Sequence, residues 1–191
     1  MRFVVMDLEW NGAYCRQTRG YFNEIIEIGA VRLDGGLRPD GEFHAVIRPQ
    51  VSSELSSIVR DLTSITPEEL EEQGKPFPAA MEEWIEWIGD GETVILTWST
   101  TDLLVMMENC RYYYDDDRLP FMERYADLQA YCQQRMGVGT AQQVALNKAC
   151  DMLGISEEGA ELHRALDDSR LSGRILQRVY EPDSFAEAVR E

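Results

Sequence analysis

Asp7 and Glu9 stand one residue apart in VVMDLEWNG, residues 4–12. Side chains alternate across a strand, so acids at i and i+2 on one strand point to the same face. Held a few ångströms apart they repel, and a shared proton, arginine partners or a divalent cation must neutralise them. Two later stretches add groups of the same kind. WSTTDLL puts Asp102 just after an apolar run and at the start of a helix, where an N-cap role is the competing reading. HRALDDSR puts His163 five residues before Asp168. Five residues turn about 140° around a helix axis, so these two converge only if His163 lies on the loop entering the helix. Asp167 faces another way on that helix and reads as a surface acid or a support for its neighbour.

Patterning gives the elements that must position these groups. RFVVMDLEW (2–10) is a strand by its β-branched and aromatic content and is expected to end at the two acids. NEIIEIGAVRLDGG (23–36) is a second strand closed by a Gly-Gly turn, and EFHAVIRP (42–49) a third, closed by Pro49. Strands joined by so short a turn pair antiparallel. The pattern turns helical from Ser52 with SSELSSIVRDL, then TPEEL, with Thr66 as N-cap and Pro67 at the first helical position. FPAAMEEWIEWIGDG repeats apolar residues at three and four and stops at glycine. ETVILTWS is a strand covered on both faces, and TDLLVMMENCRYY a helix starting beside Asp102. FMERYADL reads as a last strand, and LQAYCQQRMG, AQQVALNKACDMLG and HRALDDSRLSGRILQRVY as helices. The acidic run Asp115 to Asp117 reads as a solvated loop. With no linker or repeat, this order predicts one α/β domain over residues 1–191. Its mixed five-stranded sheet opens with an antiparallel meander and is flanked by helices, with sites at strand ends.

Of the 191 residues, 44% are hydrophobic and 28% charged, which fits a chain that buries a core and excludes a disordered or collagen-like one. The formal charge of −17 argues against holding long nucleic acid on a basic surface. It leaves room for an enzyme that grips only a chain end through metal ions. No apolar run approaches the roughly 20 residues of a membrane helix, and the N-terminus enters a strand pattern directly, so a cytoplasmic protein with no membrane partner is expected. Cys15, Cys110, Cys132 and Cys150 are widely spaced, form no CxxC pair and are expected to be free thiols.

Asp7, Glu9, Asp102 and Asp168, with His163 five before the last acid, resemble the DEDDh class of 3′→5′ exonucleases, the DnaQ-like family with a ribonuclease H-like fold. The resemblance runs through DLEW, NEIIEIGAV, LTSIT, WSTTD and HRALDDS in order, nearly the whole chain. A second branch of the family has tyrosine four before the last acid; Arg164 stands there, so the histidine branch fits. Trp10, Asn11 and Gly12 replace a frequent threonine and glycine, and Ser64 and Ser99 replace two frequent glycines. The resemblance implies hydrolysis of phosphodiester bonds at the 3′ end of single-stranded RNA or DNA, with two Mg²⁺ or Mn²⁺ ions about 3.5 to 4 Å apart. Asp7 would bridge both ions, Glu9 and Asp168 would complete one, and Asp102 would support the other through water. His163 would take a proton from the attacking water.

Trp10, Asn11, Leu62 and Ile65 are the candidates for holding the terminal nucleotide, Trp10 by stacking on a base. Core packing is the competing reading for Trp10, Leu62 and Ile65, and His44 reads as structural. The stretch FHAVIRPQVSSELSSIVRDLTSIT looks more like stand-alone RNA-trimming members than polymerase-associated proofreaders, which favours RNA. A non-catalytic nucleic-acid-binding module would keep the fold but has no reason to keep all four acids and the histidine. A phosphatase with an aspartate nucleophile calls for a second aspartate where Glu9 stands.

Overall fold

β1 (Arg2–Cys15), β2 (Gly20–Leu33), β3 (Pro39–Val46), β4 (Thr93–Thr97) and β5 (Arg124–Asp127) form one sheet in the order β3-β2-β1-β4-β5. The computed structural model describes every residue except 117, 118, 120, 140–142 and 191. β1 to β3 are antiparallel neighbours, and β4 and β5 extend the sheet in parallel from β1. Helices between the strands are α1 (Ser57–Thr63), α2 (Pro67–Glu72), α3 (Phe77–Ile88) and α4 (Thr100–Tyr114). After β5 come α5 (Leu128–Met136), α6 (Leu146–Leu153), α7 (Ala165–Val179) and α8 (Pro182–Ala188).

Alternation along β1 sends its side chains into two cores. Phe3 and Val5 meet Tyr131, Ala149, Leu171, Ile175 and Phe185 from α5 to α8 on one face. Val4, Met6 and Leu8 meet Trp84 of α3 and Met106 of α4 on the other. Each such fully buried side chain contributes about 1.5–3 kcal/mol, so β1 is anchored from both sides. A smaller cluster of Ile26, Val46, Leu55, Ile65 and Leu70 lies under α1 and α2.

The expected architecture is found, with corrections at several boundaries. β1 does not end at the acids: it continues from Trp10 to Cys15, paired with β2 throughout. What ends is its partner on the other side, since the β1–β4 pairing stops at Val5↔Leu96. Asp7 and Glu9 therefore lie just past the end of β4, at the mouth of a strand crossover. α1 starts at Ser57, later than Ser52, because the Ser56 side chain accepts from the amide of Val59 and sets the first turn. Thr66 and Pro67 open α2 as expected.

The strand expected over 121–128 narrows to β5, and α6 begins at Leu146; residues 141 and 142 of the expected helix lie outside the described residues. α8 was not anticipated; Glu181 caps it by accepting from the amides of Asp183 and Ser184. Asp115 closes α4 in a left-handed conformation, φ 55°, while Asp117 lies outside the described residues. The four cysteines are free and buried, and no helix among the described residues is long and apolar enough to cross a membrane.

Candidate active site

Three elements bring the acids together. β1 supplies Asp7 and Glu9, the first turn of α4 supplies Asp102, and the first turn of α7 supplies Asp168. Ser99, rather than Asp102, is the N-cap of α4, accepting from the amide of Thr101. Asp102 is only 5% exposed, and its Oδ1 accepts from the Leu8 amide at 3.1 Å. That bond ties the helix to the strand between the two β1 acids, in the stretch where β4 no longer occupies that edge.

His163 meets Asp168 in the one way helix geometry allows. It sits on the turn before α7 with φ 63°, and its backbone amide donates to Asp168 Oδ2 at 3.1 Å. Glu9, His163 and Asp168 each place one ligand atom within 4.8 Å of the other two. Asp167 turns away, accepting from the Glu161 amide at 2.9 Å and pairing with Arg170 at 2.7 Å, so it braces the turn that carries His163.

Burial without compensating cations raises all four carboxyls. Asp7 stands well above the usual carboxylate range through burial first, then the charges of Asp102, Asp168, Glu9 and Glu27. Burial and the neighbouring acids push Glu9 up to about 8. Asp102 rises to about 7 by burial, despite the bond from Leu8, and Asp168 to about 6 by burial, despite the bond from His163. Among the described residues no arginine or lysine forms an ion pair with any of the four. Asp168 Oδ1 is buried and has no hydrogen-bond partner among the described residues. A hard cation fits this arrangement: the donors are carboxylate oxygens, their charges are unneutralised, and one buried oxygen is unspoken for.

Glu27 was missed by sequence reasoning. It is fully buried directly opposite Glu9 in the β1–β2 register. One carboxylate oxygen accepts from Arg164 at 2.7 Å and lies 2.7 Å from His44 Nε2; the other accepts from the Ala165 amide at 2.8 Å. Burial alone would raise its pKa, but these bonds outweigh it and lower it. Arg164 also bonds Glu69 of α2 at 2.7 Å. Gly29, one turn of the pleat along β2, completes the seat: a Cβ there would lie 2.1 Å from the backbone of Ala165 and Leu166. The signal was present in NEIIEIGAV, where an acid interrupts a buried apolar run.

The four candidate nucleotide contacts fare unequally. Trp10 is half-buried against the α3–α4 layer, and Leu62 is 48% exposed at the end of α1. Asn11 is turned inward instead, 1% exposed: its Nδ2 donates to the Glu54 carbonyl at 3.1 Å and its Oδ1 accepts from the Ser56 amide at 3.0 Å. Both ends of that amide are spent on the loop before α1. Ile65, also 1% exposed, is a core residue.

Comparison with known proteins settles the family. An exonuclease family model, RNase_T, matches residues 4–176. The chain belongs to this exonuclease family. It is 26% identical to the probable 3′-5′ exonuclease KapD of Bacillus subtilis over 188 residues, 96% of this chain and 87% of that protein. It is 27% identical to a PolC-type DNA polymerase III of Thermotoga maritima, over 94% of this chain but only 12% of the polymerase. The nuclease domain of 3′hExo, a DEDDh family member solved bound to rAMP, superposes with a TM-score of 0.79 at 24% identity, covering 93% of this chain and 90% of that one. The sheet order and antiparallel meander are those of the ribonuclease H-like exonuclease fold. As a member of this exonuclease family, the chain is a hydrolytic nuclease of a family that uses divalent metal ions.

Proposed function

We propose that this chain, as a single domain, removes nucleotides from the 3′ end of single-stranded nucleic acid, RNA in preference to DNA, with two divalent ions, Mg²⁺ or Mn²⁺. The observation that carries the reading is the gathering of four carboxylates from β1, α4 and α7 near enough to raise one another, with Glu9, His163 and Asp168 within 4.8 Å, and with no arginine or lysine among the described residues in an ion pair with any of the four. Asp7, Glu9, Asp102 and Asp168 would hold the ions. When bound, such ions neutralise the scissile phosphate and steady both the attacking and the leaving oxygen.

The protein's own part in the chemistry falls to the turn before α7. His163 is exposed, its amide is fixed on Asp168, and its ring is free to take the proton of the attacking water as general base. Asp102, through Leu8, would fix the strand between the two β1 acids, so the carboxylates are set before substrate arrives. The exposed side of Leu62 and the half-buried Trp10 would flank the terminal nucleotide. Asn11 would act only by holding the loop that leads to Leu62.

RNA is favoured by the stretch from Phe43 to Thr66 and by the rAMP bound to 3′hExo; the polymerase relative is the counterweight. A cytoplasmic location is part of the reading, supported by the four unpaired cysteines. The test is incubation with 5′-labelled RNA and DNA oligonucleotides, single- and double-stranded, with Mg²⁺ or Mn²⁺. A ladder shortening from the 3′ end, faster on single-stranded RNA and stopped by chelation, is expected. Binding with no shortening under either metal would overturn it.

A further inference from the structure

Beyond Glu9 the β1–β2 ribbon runs on as a hairpin whose composition differs from the rest of the molecule. Residues 10–23 contain no acid, in a chain with 35, and carry Arg16 and Arg19 at the turn. Tyr14 and Tyr21 are register partners across the ribbon, so their rings lie on one face, 60% and 81% exposed. Among the described residues neither ring packs on another aromatic, and neither arginine is in an ion pair. The tip is seated, not loose: Cys15 and Phe22 are 2% and 1% exposed, and Phe22 lies 4.8 Å, centroid to centroid, from Tyr112 of α4.

We propose that this tip is a second contact for single-stranded nucleic acid, with bases stacking on Tyr14 and Tyr21 and phosphates held by Arg16 and Arg19. The proposal rests on the exonuclease reading above. A chain of charge −17 repels a polyanion nearly everywhere, so whatever holds the substrate upstream of its 3′ end must be a local patch of the opposite character. This patch has the two parts such binding uses, aromatic faces and unpaired guanidinium groups. The strand that carries Glu9 also carries Tyr14, five residues on and past the register shift at Glu9/Trp10, so one ribbon leads from the acids to the tip. Five residues of strand span about 17 Å, the length of roughly five stacked nucleotides at 3.4 Å each. The strand end would lie at the acids while the tip holds bases several positions upstream.

The experiment uses the full chain and fluorescein-labelled oligo(U) of about 20 and about 3 nucleotides, read by anisotropy without metal and by initial rates with Mn²⁺. The double substitution Tyr14→Ala, Tyr21→Ala is expected to weaken binding of the 20-mer at least fivefold and to raise its KM alike, with the 3-mer rate unchanged. Tyr14→Phe with Tyr21→Phe should restore binding. Arg16→Gln with Arg19→Gln should lower the slope of log K against log[salt] by about 1.4, about 0.7 for each phosphate released. Melting curves check that the variants fold. Equal losses on both lengths, no loss on either, or a tip that captures a protein and leaves nucleic-acid binding untouched would each overturn the proposal. If the wild type shortens neither oligonucleotide yet binds the 20-mer through the tip, the exonuclease reading falls and the tip assignment stands.

Discussion

Glu9 and Glu27 face each other in register across β1 and β2, one half-buried and one fully buried, with opposite fates. Glu27 has Arg164, His44 and the Ala165 amide, and its pKa falls below the ordinary value despite full burial. Burial first, then the charges of Asp168, Glu27 and Asp102, lift Glu9 to about 8 against the opposing pull of Arg164. Burial raises both acids, and the hydrogen bonds the fold supplies reverse that only at Glu27. The Glu27 cluster is electrostatically complete within the chain and locks α7 onto β2. The Glu9 cluster is complete only when something cationic arrives. A fixed acid and a waiting acid lie across one pair of strands, and the first holds the helix that brings Asp168 to the second.

Substitutions can break that contrast, and the largest effect is expected at Asp7. Asp7→Ala should abolish metal-dependent 3′ degradation while leaving a cooperative melt; retained activity in mutant protein purified free of metal would sink the assignment. His163→Ala comes next, slowing turnover roughly 10²- to 10⁴-fold with Mn²⁺ binding by calorimetry largely intact. A variant at wild-type speed, or one that no longer binds Mn²⁺, would remove His163 from the role of base.

The two glutamates should then part company in stability. Glu27→Ala leaves Arg164 with Glu69 alone, takes the acceptor from the Ala165 amide and should cost about 3 kcal/mol in denaturant melts, whereas Glu9→Gln should stabilise the metal-free protein. Losses at both positions would erase the contrast. Acidity separates them too. Glu27, lowered, contributes stability above its unfolded value of about 4.3, and that contribution is lost as pH falls through its folded value. Glu9, raised to about 8, contributes stability that is full below about 4.3 and lost as pH rises towards 8. Metal-free protein should therefore lose melting temperature between about pH 4 and pH 8, and Mg²⁺ or Mn²⁺ should flatten that decline by binding the native state. The smallest effect is expected at Asp167: its replacement by alanine removes a half-exposed pair worth no more than about 1 kcal/mol. Activity there should stay far above that of Asp168→Ala, measured side by side.

Patterns local in sequence were readable without coordinates. The alternation of β1, the Thr66–Pro67 start of α2 and the glycine stop of α3 all depend on residues within one turn or one pleat. The acids and His163 were readable because their order along the chain is itself a motif. The continuation of β1 to Cys15 was not, since WNGAYC has a glycine and an asparagine that read as a stop; the strand persists because β2 pairs with it and Asn11 bonds the loop before α1. The inward turn of Asn11 and the fate of Glu27 depend on groups 17 to 138 positions away, beyond the reach of one turn or one pleat.

Gly29 offers no ligand, no charge and no side chain, yet the backbone of α7 rests where its Cβ would be. The helix resting there carries Asp168, and the turn that enters it carries His163. A loss-of-function screen reading only nuclease activity would therefore score position 29 together with the acids, and a map drawn from such a screen would place a reactive group where there is none. Counting soluble, cooperatively folded protein alongside activity corrects the map, because an alanine at 29 displaces helix and site as one body while a change at Asp168 leaves the helix seated.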